Sequence, residues 1–303
     1  MATVLITGGA GFIGSHVVAA LQARGERAII LDDLSTGLRA NVPRGVEVLI
    51  TDIADHAALG AATAGLPPID AIVHCAAQAS VTTSIADPAR DHAVNAIGTE
   101  HVLDLCDRWQ CPLVFTSTAG IYGPNAPRPT AETAAVEPMS PYAASKAAAE
   151  RSIRAHAERS GLPHAICRLA NVYGPRQRGD GEAGVVAVFA HRLRAGEPVT
   201  LYGFGTPTRD FVHVTDVAAA LLTAHGTLGT FNVATETETS VRTVYDLACA
   251  ALGLDAEPLL ADLRPGEILH SSLSTAHTLN ALGWQARIAV ADGLPQTIRA
   301  LGA

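Results

Sequence analysis

Tyr142 and Lys146 stand four residues apart in Ser140-Pro141-Tyr142-Ala143-Ala144-Ser145-Lys146. This run reads as a helix start, because Ser140 is a capping type, Pro141 suits the first helical position, and good helix formers follow. A spacing of four puts the phenol and the ammonium on one helix face. A positive charge beside a phenol favours the phenolate, which would turn a group of reference pKa ~10 into a base usable near neutral pH. Taken alone, the pair is no more than two surface neighbours. Upstream, Phe115-Thr116-Ser117-Thr118-Ala119-Gly120-Ile121-Tyr122-Gly123 closes a predicted strand. Its Thr118 hydroxyl is the third candidate, a group to hold a substrate oxygen. Ordinary turn capping is the competing explanation of that Thr/Ser cluster.

The second constellation is Thr7-Gly8-Gly9-Ala10-Gly11-Phe12-Ile13-Gly14, between the apolar run Val4-Leu5-Ile6 and the amphipathic run Ser15 to Leu21. Strand, glycine turn and helix follow in order. Gly8, Gly11 and Gly14 let the backbone turn tightly, approach a pyrophosphate and pack helix on strand. The free N–H groups and partial positive charge of the helix start, at Phe12 and Ile13, face the anion. Arg27-Ala28-Ile29-Ile30-Leu31 then ends in Asp32-Asp33, with Asp32 placed 18 residues past Gly14. That is the position of an acid that bonds the adenosine ribose hydroxyls, and its charge repels a 2′-phosphate. The expected cofactor is therefore NAD rather than NADP, and the positive charge of its nicotinamide would act with that of Lys146 in favouring the Tyr142 phenolate. Asp52, in Thr51-Asp52-Ile53, is an open candidate for the adenine.

These residues need a frame. Apolar runs at 3–7, 27–32, 46–51, 69–75, 112–117 and 164–169 alternate with helical patterns such as 12–24, 87–108 and 140–160. Continuously apolar strands alternating with helices imply a parallel sheet covered on both faces, hence a doubly wound α/β fold. Ligands in such sheets bind beyond the carboxyl ends of the strands, where the motifs above fall. After residue 170 the pattern loosens. Residues 174–184 are polar and glycine-rich, which reads as a loop; a helix at 185–195 and a strand near 199–202 follow. Residues 211–235 read as strand–helix–strand material able to rejoin the main sheet. The expected division is a cofactor domain of 1–170 and 211–235, with a smaller α/β substrate domain of 171–210 and 236–303.

The chain has 303 residues, 48% of them hydrophobic, and a net charge of −8. That charge disfavours nucleic acid or an anionic membrane as a partner, since phosphate contacts demand basic patches. Cys75, Cys106, Cys111, Cys167 and Cys249 are odd in number and form no CxxC pair, so they read as buried thiols in a reducing compartment. No basic and apolar leader precedes residue 15, and no apolar run reaches ~18 residues, so a cytoplasmic protein without membrane spans is expected. His74 and His213 sit in apolar runs without a second ligand at useful spacing, so no metal is expected.

The chain resembles the extended short-chain dehydrogenase/reductases, and within them the nucleotide-sugar 4-epimerases. The resemblance runs over essentially the whole length. It rests on TGGAGFIGSH, Asp32, HCAAQASV (74–81), the helix of Asn95, STAGIYG (117–123), Tyr142/Lys146, NVYGPRQ (171–177), TRDFVHVTDVA (208–218) and RPGE (264–267). It implies a Rossmann sheet and a retained NAD. Tyr142 would take the proton of the sugar 4-hydroxyl, Lys146 would hold the nicotinamide ribose and lower the tyrosine pKa, and Thr118 would bond the 4-oxygen. Ile53, Asn95 and the Ala76-Ala77 turn would line the cofactor. Ala79, Ser80, Asn171, Arg178, Val186, Tyr202, Arg209 and Arg264 would line a UDP-sugar. A homodimer through helices 87–108 and 140–160 is also implied, with small residues Ala143, Ala147 and Ala148 permitting close approach.

Two departures bear on the substrate. Similar 4,6-dehydratases carry an Asp-Glu pair where this chain has Ala119 and Gly120, so water elimination is not expected. Arg178 follows GPRQ, where look-alikes acting on UDP-glucuronate place an arginine able to fork a carboxylate. Asn171, where those enzymes tend to have threonine, argues the other way. The sequence thus ranks UDP-glucuronate just ahead of UDP-glucose or UDP-N-acetylglucosamine. An NAD-sensing protein without activity and a net reductase are the more distant alternatives.

Overall fold

The computed structural model describes residues 2–179, 184–264 and 268–301. Its first strand, β1 (Thr3–Thr7), is buried along its whole length, as its TVLIT sequence requires. Helix α1 (Phe12–Ala23) and β2 (Arg27–Asp32) follow. Next come β3 (Glu47–Ile50), α2 (His56–Thr63) and β4 (Ala71–His74). Two short helices, α3 (Val81–Ala86) and α4 (Pro88–His92), lead through one π-helical turn at Ala93–Ile97 into α5 (Gly98–Trp109). α4, the π-helical turn and α5 run on without a break over 88–109, close to the helix read at 87–108. Val102, Leu103, Leu105 and Cys106 of α5 are buried, at the three-to-four spacing of a single apolar stripe.

β5 (Leu113–Thr118), α6 (Pro141–Ser160) and β6 (Ala165–Leu169) follow. α6 is capped as its sequence predicts: the Ser140 hydroxyl accepts from the Ala143 N–H, Pro141 is in the first turn, and Gly161 ends it at φ +74°. The chain continues with β7 (Asn171–Tyr173), α7 (Val185–Arg194), β8 (Thr200–Tyr202), β9 (Thr208–His213) and α8 (Val214–Thr223). β10 (Gly229–Val233), β11 (Glu238–Ser240), α9 (Val241–Leu252), β12 (Leu259–Ala261), α10 (Ala276–Leu282) and α11 (Val290–Ala300) complete it.

Seven strands form one sheet in the order β10-β6-β5-β4-β1-β2-β3. The pairs β1–β2, β1–β4, β2–β3 and β4–β5 are parallel. This is the doubly wound Rossmann α/β fold. The order reverses between β1 and β4, and a crevice opens at such a switch point beyond the carboxyl ends of the strands.

The chain divides into two units. The first holds residues 1–123, 136–168 and 218–231, and the second 124–135, 169–217 and 232–303. Leu5, Ile29, Leu31, Ile72, Val102, Leu113, Phe115 and Ile153 belong to the core of the first. Tyr173, Phe189, Leu201, Phe211, Tyr245 and Leu294 belong to that of the second. This division differs from the sequence reading by small boundary shifts at 169–170 and 232–235 and by two larger segments. Residues 124–135 join the second unit because Thr130 bridges to Leu273 and Glu132 accepts the Asn232 N–H at 2.8 Å. Residues 211–217 join it because β9 leaves the main sheet and pairs with β7 and β11. Only β10, of the strand–helix–strand material at 211–235, rejoins the seven strands.

Candidate functional site

In the first unit the glycine turn lies at the switch point. Gly8 has φ +68°, and a Cβ there would stand 2.6 Å from the Ala76 backbone nitrogen. At Gly14 a Cβ would stand 2.2 Å from the Gly8 carbonyl oxygen, so only glycine lets α1 close onto the turn. Gly11 precedes α1, and no side chain caps the helix. The start of α1, with Phe12, Ile13 and Gly14, thus keeps the N–H donors and partial positive charge that suit a pyrophosphate. A cradle that any side chain would fill, at the start of an uncapped helix, fits a dinucleotide.

Asp32 is buried at the end of β2. One of its oxygens accepts the Ala10 N–H and the other the Leu34 N–H, each at 2.9 Å. Burial pushes its pKa up, and the two backbone bonds oppose that. A carboxylate has about four acceptor sites, so two remain for ribose hydroxyls. Asp52 is differently occupied. Its carboxylate pairs with Arg90 at 2.7 Å and accepts the Ala54 N–H at 2.9 Å. The Ile53 side chain is buried in the core under Gly98, whose Cβ would stand 2.9 Å from it.

Ala76 and Ala77 lie just past β4, and the Ala76 N–H donates to the Thr7 hydroxyl at 3.2 Å. Thr7 in turn bonds His74 Nδ1 at 2.6 Å, and His74 Nε2 bonds Thr99 at 3.1 Å. Burial holds His74 near pKa 3, so it is neutral, with both ring nitrogens used inside the protein. It is a structural histidine, as its apolar setting suggests. His213 bonds the Thr215 hydroxyl through Nδ1 at 2.8 Å.

Asn95, expected to line the cofactor, is 1% exposed. Its amide donates to the Gln78 carbonyl, Asp91 and Ser145, and accepts the Gln78 N–H. Both amide hydrogens are thus engaged by the loop after β4, by α4 and by α6, while the amide oxygen keeps one acceptor site. Asp91 and Gln78, which the sequence reading did not single out, complete the clamp through a bond of 2.9 Å. Ser80 caps α3 by accepting the Thr83 N–H at 2.8 Å, whereas Ala79 beside it is exposed.

Thr118 ends β5, and its hydroxyl accepts the Gly120 N–H at 3.1 Å. It also lies near enough to Tyr142 to pull the phenol's pKa down. Lys146, the only lysine of the 303 residues, is 2% exposed, with its ammonium 4.1 Å from the centre of the Phe115 ring. Thr118 and Tyr142 are therefore neighbours, and Lys146 follows Tyr142 by one turn of α6. Their electrostatics depart from the expectation. Burial pushes Tyr142 up to about 12, with Thr118 pulling down and Asp91 pushing further up. Burial brings Lys146 down to about 8, against the opposing pull of Cys75, Glu150 and Asp91. In the chain alone, desolvation is the largest influence on both groups.

In the second unit the Arg264 guanidinium lies 3.7 Å from the centre of the Tyr202 ring, a stacked pair that combines two of the expected nucleotide contacts. Arg209 is half-buried in β9 and donates to the Thr208 carbonyl at 2.8 Å. Its neighbour Asp210 is buried and accepts the Thr235 and Glu236 N–H groups at 2.9 Å, which fixes the loop after β10. Asn171 and Arg178 are exposed. Residues 180–183 of the polar loop and Pro265–Glu267 of RPGE lie outside the described residues. Val186, expected to touch substrate, is 1% exposed and packs in the core of this unit. Its place on the buried stripe of α7 accounts for that.

The sequence reading also missed Glu150, Ser117 and Arg168, a buried bonded cluster behind Thr118. The available signal was the spacing of Tyr142, Lys146 and Glu150, each four residues from the last. Among the described residues no three His, Cys, Asp or Glu gather as metal ligands, and no helix is long and apolar enough to cross a membrane.

Comparison with known proteins gives the same picture. The "NAD dependent epimerase/dehydratase family" matches residues 4–234. A UDP-glucose 4-epimerase of Mycolicibacterium smegmatis is 38% identical over 97% of this chain and 96% of its own length. The crystal structure of UDP-glucose 4-epimerase from Thermotoga maritima with UDP-glucose is 38% identical at TM-score 0.94, covering 98% of each chain. The structure of UDP-glucose 4-epimerase from Thermus thermophilus in complex with NAD is 42% identical at TM-score 0.90, covering 99% of each.

Proposed function

The chain belongs to the NAD-dependent epimerase/dehydratase family, and from that premise we propose that it interconverts UDP-glucose and UDP-galactose by inverting C4. The observation that carries the reading is Thr118 beside Tyr142, one turn of α6 from Lys146, in the unit that holds the glycine turn. The full-length likeness to UDP-glucose 4-epimerases puts the neutral hexose ahead of the uronate that Arg178 suggests.

The family's NAD, when bound, supplies the acceptor and donor of the C4 hydrogen. The uncapped start of α1 would hold its pyrophosphate and Asp32 its ribose. Thr118 would fix the 4-oxygen of the sugar by a hydrogen bond. Tyr142 would take the proton of that hydroxyl and return it after the sugar has presented its other face. Lys146 would keep a positive charge next to the reacting oxygen. In the second unit, Arg264 on Tyr202, together with Arg209, would hold the uridine diphosphate, since a diphosphate needs several cationic donors. Asn171 would add a polar contact.

The test is purified chain with UDP-glucose and no added cofactor, read by NMR for UDP-galactose. Conversion without growth of absorbance at 340 nm is expected, with loss of about 10³-fold in kcat for Tyr142→Phe. A Tyr142→Phe enzyme as fast as the parent refutes the assignment. The uronate reading rests on Arg178. If UDP-glucuronate is turned over and Arg178→Ala abolishes that while sparing UDP-glucose, the uronate becomes the substrate. By resemblance the protein would be a homodimer. Five free cysteines, four of them buried, support a reducing, cytoplasmic setting.

A further inference from the structure

We propose that Glu150 is a positioning residue for this reaction: with Arg168 it ties both flanks of Thr118 to the helix that carries Tyr142 and Lys146. The inference rests on the epimerase reading. Glu150 is 0% exposed. It follows Lys146 by one helical turn and Tyr142 by two, so the three share one face of α6.

Its partners come from either side of Thr118. Ser117, the residue before, donates to one carboxylate oxygen at 2.6 Å. Tyr122 closes the short turn after Thr118, and its hydroxyl accepts from Arg168 at 2.9 Å. Arg168 in turn forks Glu150, at 3.0 Å through Nε and 2.7 Å through Nη2. The Arg168 guanidinium also lies 4.8 Å from the Tyr122 ring centre. Arg154 adds a further bond to Glu150 at 2.7 Å.

A buried ion pair is a poor device for stability alone, because desolvation offsets most of its attraction and a well-packed apolar pair serves as well. It is a good device for direction, because a forked guanidinium accepts few geometries. Here the fixed quantity is the placement of the Thr118 turn against the Tyr142–Lys146 face. The carboxylate also adds negative charge near Lys146, along with Asp91.

The test compares Glu150→Gln, Glu150→Asp and Ser117→Ala with the parent holoenzyme. Misplacement by about 1 Å costs roughly 10²-fold in rate. Accordingly kcat for UDP-glucose is expected to fall roughly 10- to 100-fold in both Glu150 variants and less in Ser117→Ala, with KM within about twofold. Because the chain has a single lysine, a ¹³Cε-lysine label gives one side-chain NMR signal, that of Lys146. Its titration midpoint is expected to drop in Glu150→Gln, which lacks the charge, and to hold in Glu150→Asp, which keeps it. Unchanged kcat in folded Glu150→Gln overturns the proposal. So does a parallel fall of kcat and Tm with the Lys146 midpoint unmoved, the mark of a merely structural residue. If Glu150→Gln does not fold, Ser117→Ala decides, and parent kinetics there overturn the proposal. If the parent itself fails to epimerise UDP-glucose, the functional reading falls, whereas the Lys146 signal still reports on the Glu150 contact.

Discussion

Lys146 offers the sharpest quantitative test of how the site is built. A lysine in water has a pKa of 10.5, and burial in this site brings it to about 8. At 1.36 kcal/mol per pH unit, that gap is a preference of about 3 kcal/mol for the neutral amine in the folded state. Between pH 8 and 10.5 the unfolded chain binds more protons at this residue than the folded chain. The lysine's contribution to stability therefore rises with pH across that window and is flat below it. Cys75 and Cys167 act in the opposite sense, since burial raises both thiols from 9.0 to about 12. The parent's curve mixes these effects, and the difference between parent and Lys146→Met isolates the lysine. In cofactor-free protein, urea unfolding should find Lys146→Met more stable below pH 8, by up to about 3 kcal/mol, with the two converging by pH 10.5. The same variant should be almost inactive. In the ¹³Cε-lysine titration the parent's midpoint should lie near 8. A midpoint at the ordinary lysine value, or a Lys146→Met chain less stable than the parent at pH 7, would refute the argument that burial dominates this residue.

Gly14→Ala should strip the cofactor. Its Cβ would stand 2.2 Å from the Gly8 carbonyl oxygen and 2.9 Å from the Gly9 Cα, both backbone atoms with little room to yield. Overpacking of this kind costs about 1–3 kcal/mol, so Tm should fall along with NAD content after acid extraction; a full complement of NAD would contradict it. Arg264→Ala removes the cation stacked on Tyr202, at 3.7 Å. Stacks of this kind contribute roughly 0.5–2 kcal/mol, so steady-state kinetics should show KM for the UDP-sugar rising about 2- to 30-fold with kcat little changed. A KM equal to the parent's would remove Arg264 from the nucleotide contacts.

The first unit was readable because its signals are local. Apolar runs such as Thr3–Thr7 can only be buried strands, a glycine turn between strand and helix constrains φ, and Ser140-Pro141 announces a helix start. What escaped depends on partners distant in sequence. The partner of Asp52, Arg90, lies 38 residues on and could not be read from Thr51-Asp52-Ile53. Asn95 was read as a cofactor contact, and its bonds to Gln78, Asp91 and Ser145 were not visible in the sequence. Val186 looked like a substrate contact because resemblance carries a position over but not its orientation. β9 read as continuing the main sheet because its apolar run is the same whichever sheet receives it.

The phenol is the most instructive case. Spacing placed Tyr142 and Lys146 on one helix face, and Coulomb reasoning with the ammonium and a nicotinamide charge together favoured the phenolate. Spacing carries no information on desolvation, which acts on both groups in opposite directions and draws their pKa values apart from where catalysis needs them. At neutral pH the chain by itself holds a neutral phenol near an ammonium, with Thr118 beside the phenol. Proton transfer from a sugar hydroxyl therefore requires positive charge that the chain alone does not provide, and a bound cationic nicotinamide ring carries such charge. Tyr142 would then be a better base with that charge in place than in the chain alone.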